Sequence, residues 1–214
     1  MRISKNEQGS QEWLKEKLSV AGGTRISSIV TPKNLTLSKS SKDLILKMID
    51  EDITGISADG NFTSEAMERG NELEPLARNK YEEITGCKSL QFGLCISDEN
   101  KRHGLSPDGF SKDFKGAQEI KCPGAVKHLK YINNEDYPEI TIYNDYKPQC
   151  INYFLVNNEL EWLDTVSFRP EFYPNPIHIE RIYRVDISED IKKVEKAVKE
   201  FFELFDKFYN QYTF

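Results

Sequence analysis

The sequence predicts an α/β (α+β) fold in which a mixed central β-sheet is flanked by helices. Three observations carry the expectation. Helical periodicity dominates before residue 87, strand-like alternation runs from 87 to 122, and helical patterns return afterwards, with two further alternating runs before a final helix. The chain is 214 residues long, the size of one domain, so positions 1–214 read as a single unit. Hydrophobic residues make up 38% and charged residues 30%, with 12 Phe and 10 Tyr, which is enough apolar bulk for a packed core.

The elements follow in order. "SQEWLKEKL" (10–18) predicts a short helix capped by Ser10, with Trp13, Leu14 and Leu18 near one face. In "VAGGTRISSIV" (20–30), Gly22-Gly23 form a flexible turn and Thr24 opens a second short helix. "SKSSKDLILKMIDEDITG" (38–55) has a Ser cap, apolar periodicity and a Gly55 stop. "TSEAMERGNELEPLARNKYEEITG" (63–86) is a long polar helix ending at Gly86, in which Pro75 predicts a kink or a new first turn. Three strands come next: "KSLQFGLCIS", "LSPDGFS" broken at its turn, and "AQEIKCP". "GAVKHLKYI" and "YNDYKPQCINYFLVN" are helical, the second bent near Pro148, and "EWLDTVSFRP" and "IHIERIYRVD" alternate as strands. A C-terminal amphipathic helix over 188–212 places Ile191, Val194, Val198, Phe201, Phe202, Phe205 and Phe208 on one stripe, packing on the core or a subunit neighbour.

Composition narrows the function. A net charge of −6 argues against a uniformly basic nucleic-acid coat, though not against a local basic cleft. No apolar run approaches the ~18 residues of a membrane span, and no apolar stretch follows the basic residue of the N-terminus, so an intracellular, cytoplasmic protein is expected. Cysteines 87, 95, 122 and 150 form no CxxC pair and read as free thiols, a zinc or iron–sulfur site being the less favoured alternative. Histidines 103, 128 and 178 are scattered, and no HExxH, nucleophile elbow or Walker loop is present.

One stretch carries chemistry. In "GLSPDGFSKDFKGAQEIKCPG" (104–124), Pro107-Asp108-Gly109 is a turn, Pro fixing φ and Gly permitting positive φ. On the following strand Ala117, Glu119 and Lys121 share one face and Gln118, Ile120 and Cys122 the other. Asp108 and Glu119 are hard oxygen ligands suited to Mg²⁺, with Mn²⁺ as substitute. Lys121 stands one pleat from Glu119, where an ammonium can orient water or stabilise phosphate charge. These are the parts of metal-assisted phosphodiester hydrolysis. Each feature also has an ordinary reading, as a surface turn and an exposed Glu/Lys pair. Acidic residues such as Glu72 and Glu74 near a helix start also merely complement its dipole.

Taken together, R-G-x-x-x-E-P-x-A (69–77), P-D-G (107–109) and E-x-K-C-P (119–123) closely resemble the lambda-exonuclease or YqaJ-like viral recombinase group of the PD-(D/E)XK nucleases. "EWLKEKLSVAGGTRISSIV" and "YKPQCINYFLV" followed by "EWLDTVSFRP" extend the likeness over residues 12–170. The resemblance implies a restriction-endonuclease-like core. It implies that Asp108 and Glu119 hold the metal with the Ile120 backbone carbonyl, that Lys121 is the catalytic lysine, and that Glu74 binds or orients the metal or its water. Glu72 is solvated on this reading. Gln149 supports the lysine or the DNA. Lys17 and Thr24 take the positions that grip a terminal 5′-phosphate, and Arg25, Ser106 and Arg169 complete the expected DNA contacts. A helix start at Gly23-Thr24 is physically suited to an anion, although Thr24 as a plain cap and Gln149 as a surface residue are the bland alternatives.

Three positions depart from the group's pattern. Lys17 stands where Arg is expected and lacks its planar fork, Ile151 replaces a second Gln, and Arg169-Pro170 reverses a usual Pro-Arg order. The implied activity is a Mg²⁺-dependent 5′-to-3′ exodeoxyribonuclease on duplex DNA ends. The group's homotrimeric ring, its single-strand annealing partner and a phage or prophage origin are expected with it. Two alternatives differ in class: an endonuclease of the same superfamily, Cas4-like or restriction-type, and a non-catalytic DNA-end-binding protein.

Overall fold

The computed structural model describes residues 1–60 and 64–213. In chain order the elements are β1 (Arg2–Ile3), α1 (Gln11–Glu16), a 3₁₀ turn (Gly23–Arg25), α2 (Ile26–Ile29), α3 (Ser41–Thr54) and α4 (Glu65–Thr85). Then come β2 (Cys95–Ile96), β3 (Gly104–Leu105), β4 (Gly109–Phe110), β5 (Gly116–Lys121), α5 (Ala125–Ile132), α6 (Ile142–Asp145), α7 (Lys147–Val156), β6 (Trp162–Phe168), β7 (Ile177–Tyr183) and α8 (Ser188–Tyr212).

Local signals act as expected at several ends. Ser10 Oγ accepts from Trp13 N at 3.1 Å and starts α1. Gly55 and Gly86, at φ +68° and +69°, close α3 and α4 in the left-handed conformation that glycine adopts without strain. Tyr146 separates α6 from α7, and Pro148 sits in the first turn of α7, where its missing N–H costs nothing. The expected start of α4 at Thr63 lies outside the described residues.

Some expectations are corrected. Leu14 is 47% exposed, away from buried Trp13. The helix α4 runs through Pro75 without ending there. Its Leu73, Ala77 and Tyr81 pack on Ile120, Val166 and Phe168 of the sheet, and such packing can offset the roughly 3 kcal/mol that an interior proline costs.

The strands expected at 88–97 and 105–111 are each divided between two sheets. β1-β2-β3 form one antiparallel sheet, while β4-β5-β6-β7 form the other. On the first run, Leu90 bridges Phe110 but Cys95–Ile96 pairs with β1 and β3. Between them Trp13 Nε1 donates to Gly93 O at 2.7 Å, and Ser4 N donates to Leu94 O at 2.7 Å, drawing the chain aside. On the second run Pro107, which has no N–H to offer a ladder, lies between β3 and β4.

The larger sheet is mixed, as expected. β4 and β5 are antiparallel, β5 and β6 parallel, β6 and β7 antiparallel. The crossover from β5 to β6 carries α5, α6 and α7. β5 divides its faces as the alternation predicts: Ala117 joins the main core with Phe110, Tyr153 and α8, whereas Ile120 packs toward α4. The α8 stripe is buried in that main core from Ile191 to Phe205, beside α3 and α7. The site therefore lies at the end of a buried strand, walled by α7 on one face and α4 on the other.

Candidate active site

Register brings the two sequence motifs together. Gly109 pairs with Gln118 on the antiparallel β4–β5 ladder, so the preceding residue, Asp108, falls beside Glu119. Asp108 Oδ2 accepts from Ile120 N at 2.6 Å, which fastens the turn to the strand. From α7, the buried Tyr153 hydroxyl accepts from Asp108 N at 3.3 Å and donates to Gln118 O at 3.1 Å. Gly109 does not take positive φ, contrary to expectation. Its need is steric: a Cβ there would stand 1.8 Å from Ser89 Oγ and 2.3 Å from Gln118 Oε1.

Glu119, Lys121 and Gln149 form a closed triangle. Lys121 Nζ lies 2.6 Å from Glu119 Oε1 and donates to Gln149 Oε1 at 3.1 Å, while Gln149 Nε2 donates to Glu119 Oε1 at 2.8 Å. Gln149 is thus an inward-facing member of the site. The ammonium also stands 4.4 Å from the Tyr146 ring centroid, a favourable cation–π distance. Glu74 reaches the site from α4, ion-paired to Arg78 four residues along the same helix face. Glu72 is exposed.

The electrostatics are those of crowded carboxylates. Burial, then the negative charges of Glu119 and Glu74, push the Asp108 carboxyl well above its usual range, against the pull of Lys121 and the Ile120 N–H. Burial alone would favour neutral Lys121, but Glu119 and Asp108 outweigh it and hold the ammonium charged. Among the described residues, no three His, Cys, Asp or Glu side chains converge into a ready-made metal cage. Lys121 and Arg78 instead occupy oxygens of Glu119 and Glu74. The donor chemistry still fits a hard divalent cation: the oxygens are carboxylates, and their mutual repulsion at Asp108 is what such an ion relieves.

Of the residues expected at a terminal phosphate and the DNA, Lys17, Thr24 and Arg25 lie on or before the 3₁₀ turn, Ser106 lies two positions before Asp108, and Arg169 follows β6. Ala21 O accepts from Gly104 N at 3.1 Å and Ala21 N donates to Arg102 O at 2.7 Å, laying the Gly22–Thr24 turn along the strand that leads to Asp108. Gly22 is not merely flexible there, since a Cβ would fall 1.8 Å from Gly104 O. Thr24 is exposed in the 3₁₀ turn, whose N-cap is Gly22. Lys17 is exposed, its Nζ 4.2 Å from the Trp13 ring centroid. Desolvation, then the Arg25 charge, lowers the Lys17 pKa. Arg25 commits its guanidinium to Glu51 at 2.5 and 2.8 Å and to Asp59 at 2.6 and 3.0 Å. The Ser106 hydroxyl is buried with no partner among the described residues, two positions before Asp108. Arg169 follows β6 just past Ser167, the register partner of Lys121, and lies 3.9 Å from Glu171.

Sequence reasoning missed Tyr146, Tyr153 and Arg78. Two had a helical signal: Tyr153 follows Gln149 by four residues, and Arg78 follows Glu74 by four.

The model of the YqaJ-like viral recombinase domain matches residues 12–159. The chain belongs to this family. Two solved structures of LHK-Exo, an alkaline exonuclease from Laribacter hongkongensis, are similar to this YqaJ-like chain over most of its length. The first is 25% identical with a TM-score of 0.73, and the second, a complex with dAMP, is 26% identical with a TM-score of 0.74. Each covers 94% of this chain and 97% of the exonuclease. A phage-related exonuclease from Haemophilus somnus 129PT, 16% identical over 93% of this chain and 94% of its own, has a TM-score of 0.52 and supports the fold alone. No match was found among curated proteins. Family membership and the LHK-Exo likeness identify this YqaJ-like chain as a deoxyribonuclease of the exonuclease kind.

Proposed function

We propose that this YqaJ-like chain is a Mg²⁺-dependent 5′-to-3′ exodeoxyribonuclease that digests linear duplex DNA from its ends. Mononucleotides are released and 3′ single strands remain for phage-type recombination. The observation that carries the reading is the contact network of Asp108, Glu119, Lys121 and Gln149 at one strand end.

Asp108, Glu119, the Ile120 carbonyl and Glu74 would hold the divalent ion, with Mn²⁺ as a substitute. When bound, the ion supplies Lewis acidity and lowers the pKa of water. Lys121, kept charged by Glu119 and Asp108, orients the attacking water and stabilises charge on the scissile phosphate. Gln149 fixes the Lys121 ammonium through its amide oxygen and Glu119 through its amide nitrogen, so both are set before substrate arrives. Water adds to phosphorus, the P–O3′ bond breaks, and the 3′ oxygen leaves with a proton. Lys17 and Thr24 would receive the terminal 5′-phosphate, and Ser106 and Arg169 would contact the DNA, while Arg25, held by Glu51 and Asp59, would meet the DNA only by exchanging one of those partners. A homotrimeric ring would confine basic residues to a lumen while the outer surface stays acidic, consistent with a net charge of −6. Its partners are duplex ends and a single-strand annealing protein in the cytoplasm of a bacterial host.

No helix among the described residues is long and apolar enough to cross a membrane. The deciding experiment digests linear duplex labelled in turn at each 5′ and 3′ terminus, with 5′-phosphate or 5′-hydroxyl ends, beside a closed circle. Mg²⁺, chelator and Lys121→Ala are the controls. Early release of labelled 5′ mononucleotide that spares the circle supports the proposal. Cutting of the circle supports an endonuclease instead, and binding without turnover under any divalent ion supports a non-catalytic end binder.

A further inference from the structure

Arg78 has a place in this site that its sequence position alone does not convey. It stands four residues after Glu74 on α4, so both side chains leave one helix face. Its side chain is 11% exposed, and its guanidinium spans three groups. One Nη pairs with the Glu74 carboxylate, and Nε donates to the backbone carbonyl of Asp108 at 3.1 Å. The Gln91 amide, turned so that its oxygen faces the guanidinium, accepts from Nη2 at 2.7 Å. One planar group therefore joins the helix that carries one carboxylate to the turn that carries another. Asp108 is held from two further directions, by Ile120 N on its carboxylate and by Tyr153 on its backbone N–H. The Glu74 carboxylate has the Arg78 guanidinium as its one hydrogen-bond partner among the described residues.

We propose that Arg78 is a positioning residue that sets Glu74 and Asp108 as one unit for divalent-cation binding, through the forked geometry of its guanidinium. This rests on the metal-dependent reading of the site. The physical case has two parts. Glu74 approaches on a long side chain from α4, while Asp108 sits on the three-residue junction 106–108 between β3 and β4, so their spacing depends on a cross-link between helix and turn. Lysine keeps the charge, but its donors all radiate from one nitrogen, so it cannot span the separated acceptors that the Nε and Nη atoms of a planar fork reach in fixed directions. Outer groups that orient metal ligands commonly contribute 10- to 100-fold in affinity. Arg78 also walls a cavity of about 590 Å³, with Asn71, Glu74 and Gln91, so it borders space open to ligand.

The test is isothermal titration of Mg²⁺ and of Mn²⁺ into the DNA-free full chain, comparing wild type with Arg78→Lys. Single-turnover cleavage is followed over a range of Mg²⁺ concentrations. Arg78→Lys is expected to bind either ion about tenfold more weakly. Its cleavage should recover partly at high Mg²⁺, at a melting temperature within a few degrees of wild type. Wild-type affinity in Arg78→Lys overturns the proposal, because charge without the fork would then suffice. Should Arg78→Lys fail to fold, Gln91→Leu removes one anchor of the same guanidinium. A smaller loss of metal affinity there supports the assignment, and an unchanged isotherm overturns it. Absence of divalent binding by wild type would overturn the metal-dependent reading along with this one. Wild-type binding with an unaltered variant would overturn this one alone.

Discussion

Tyr153→Phe removes one oxygen atom from the buried contact between α7 and the two arms of the motif. The hydroxyl accepts from Asp108 N at 3.3 Å and donates to Gln118 O at 3.1 Å, and the side chain is 2% exposed, so water does not replace it. Leaving buried partners unsatisfied costs about 1–3 kcal/mol, and the long Asp108 bond places its share at the low end. A total of about 2 kcal/mol corresponds to a melting-temperature fall of roughly 4–8 °C for a chain of this size. The ring itself still fills its place against Phe110, 6.4 Å away between centroids, so no cavity term adds to this. The Asp108 turn loses one of its holds, and a displacement of even part of an ångström is expected to slow cleavage by on the order of tenfold. Calorimetric melting of the metal-free protein and single-turnover digestion of end-labelled duplex measure the two effects. A variant that melts within a degree of wild type and cleaves at the wild-type rate would refute the claim that this hydroxyl anchors the site.

Three further outcomes are expected. Burial and the charges of Glu119 and Glu74 raise the Asp108 pKa, so the folded chain keeps that proton to higher pH than the unfolded one. The associated stability is present below the unfolded carboxylate value of about 4 and drains as pH rises through the folded value. Asp108→Asn should therefore flatten this loss and melt higher than metal-free wild type at neutral pH while cleaving nothing, as thermal scans across pH and a nuclease assay will show. Gly109→Ala, which forces a Cβ against Ser89 and Gln118, should cost about 1–3 kcal/mol in urea unfolding, and adding Ser89→Ala should recover part of it. Asp52 is held below its usual pKa first by Arg102, at 2.7 and 3.0 Å, and then, against some burial, by the Tyr209 hydroxyl at 2.6 Å. Because a lowered pKa contributes stability above the unfolded value and loses it as pH falls, Asp52→Asn should cost about 1 kcal/mol at neutral pH. Urea titrations should show the two proteins converging as the pH falls through the lowered Asp52 value.

How much of the site was legible depended on the range of the interaction. The Asp108 turn and the Glu119/Lys121 face were readable because a strand alternates with period two. Gln149 and Glu74 entered through a family resemblance; no local signal showed that Gln149 would close a triangle with Lys121 and Glu119. Tyr153 was hidden because an aromatic residue on an apolar helix reads as core, which it also is. Arg78 was hidden because a Glu/Arg pair four residues apart is an ordinary helix-surface feature. Its bond to the Asp108 carbonyl joins positions 30 residues apart.

The sequence by itself determined most of the helices and several element ends. Ser10 caps α1, Gly55 and Gly86 stop α3 and α4, the α8 stripe predicts its buried residues, and β5 has the two faces its alternation requires. These depend on forces acting within a few residues. Only the tertiary structure decided that the runs at 88–97 and 105–111 would each be shared between two sheets, and that α4 would continue through Pro75. It also placed Gly22 and Gly109 where any Cβ would strike a neighbour rather than where φ is positive. Each of those outcomes is set by what packs against the segment from far along the chain: Trp13 and Ser4 at Gly93–Leu94, the sheet beneath Ala77 and Tyr81, Gly104 against Gly22, and Ser89 against Gly109.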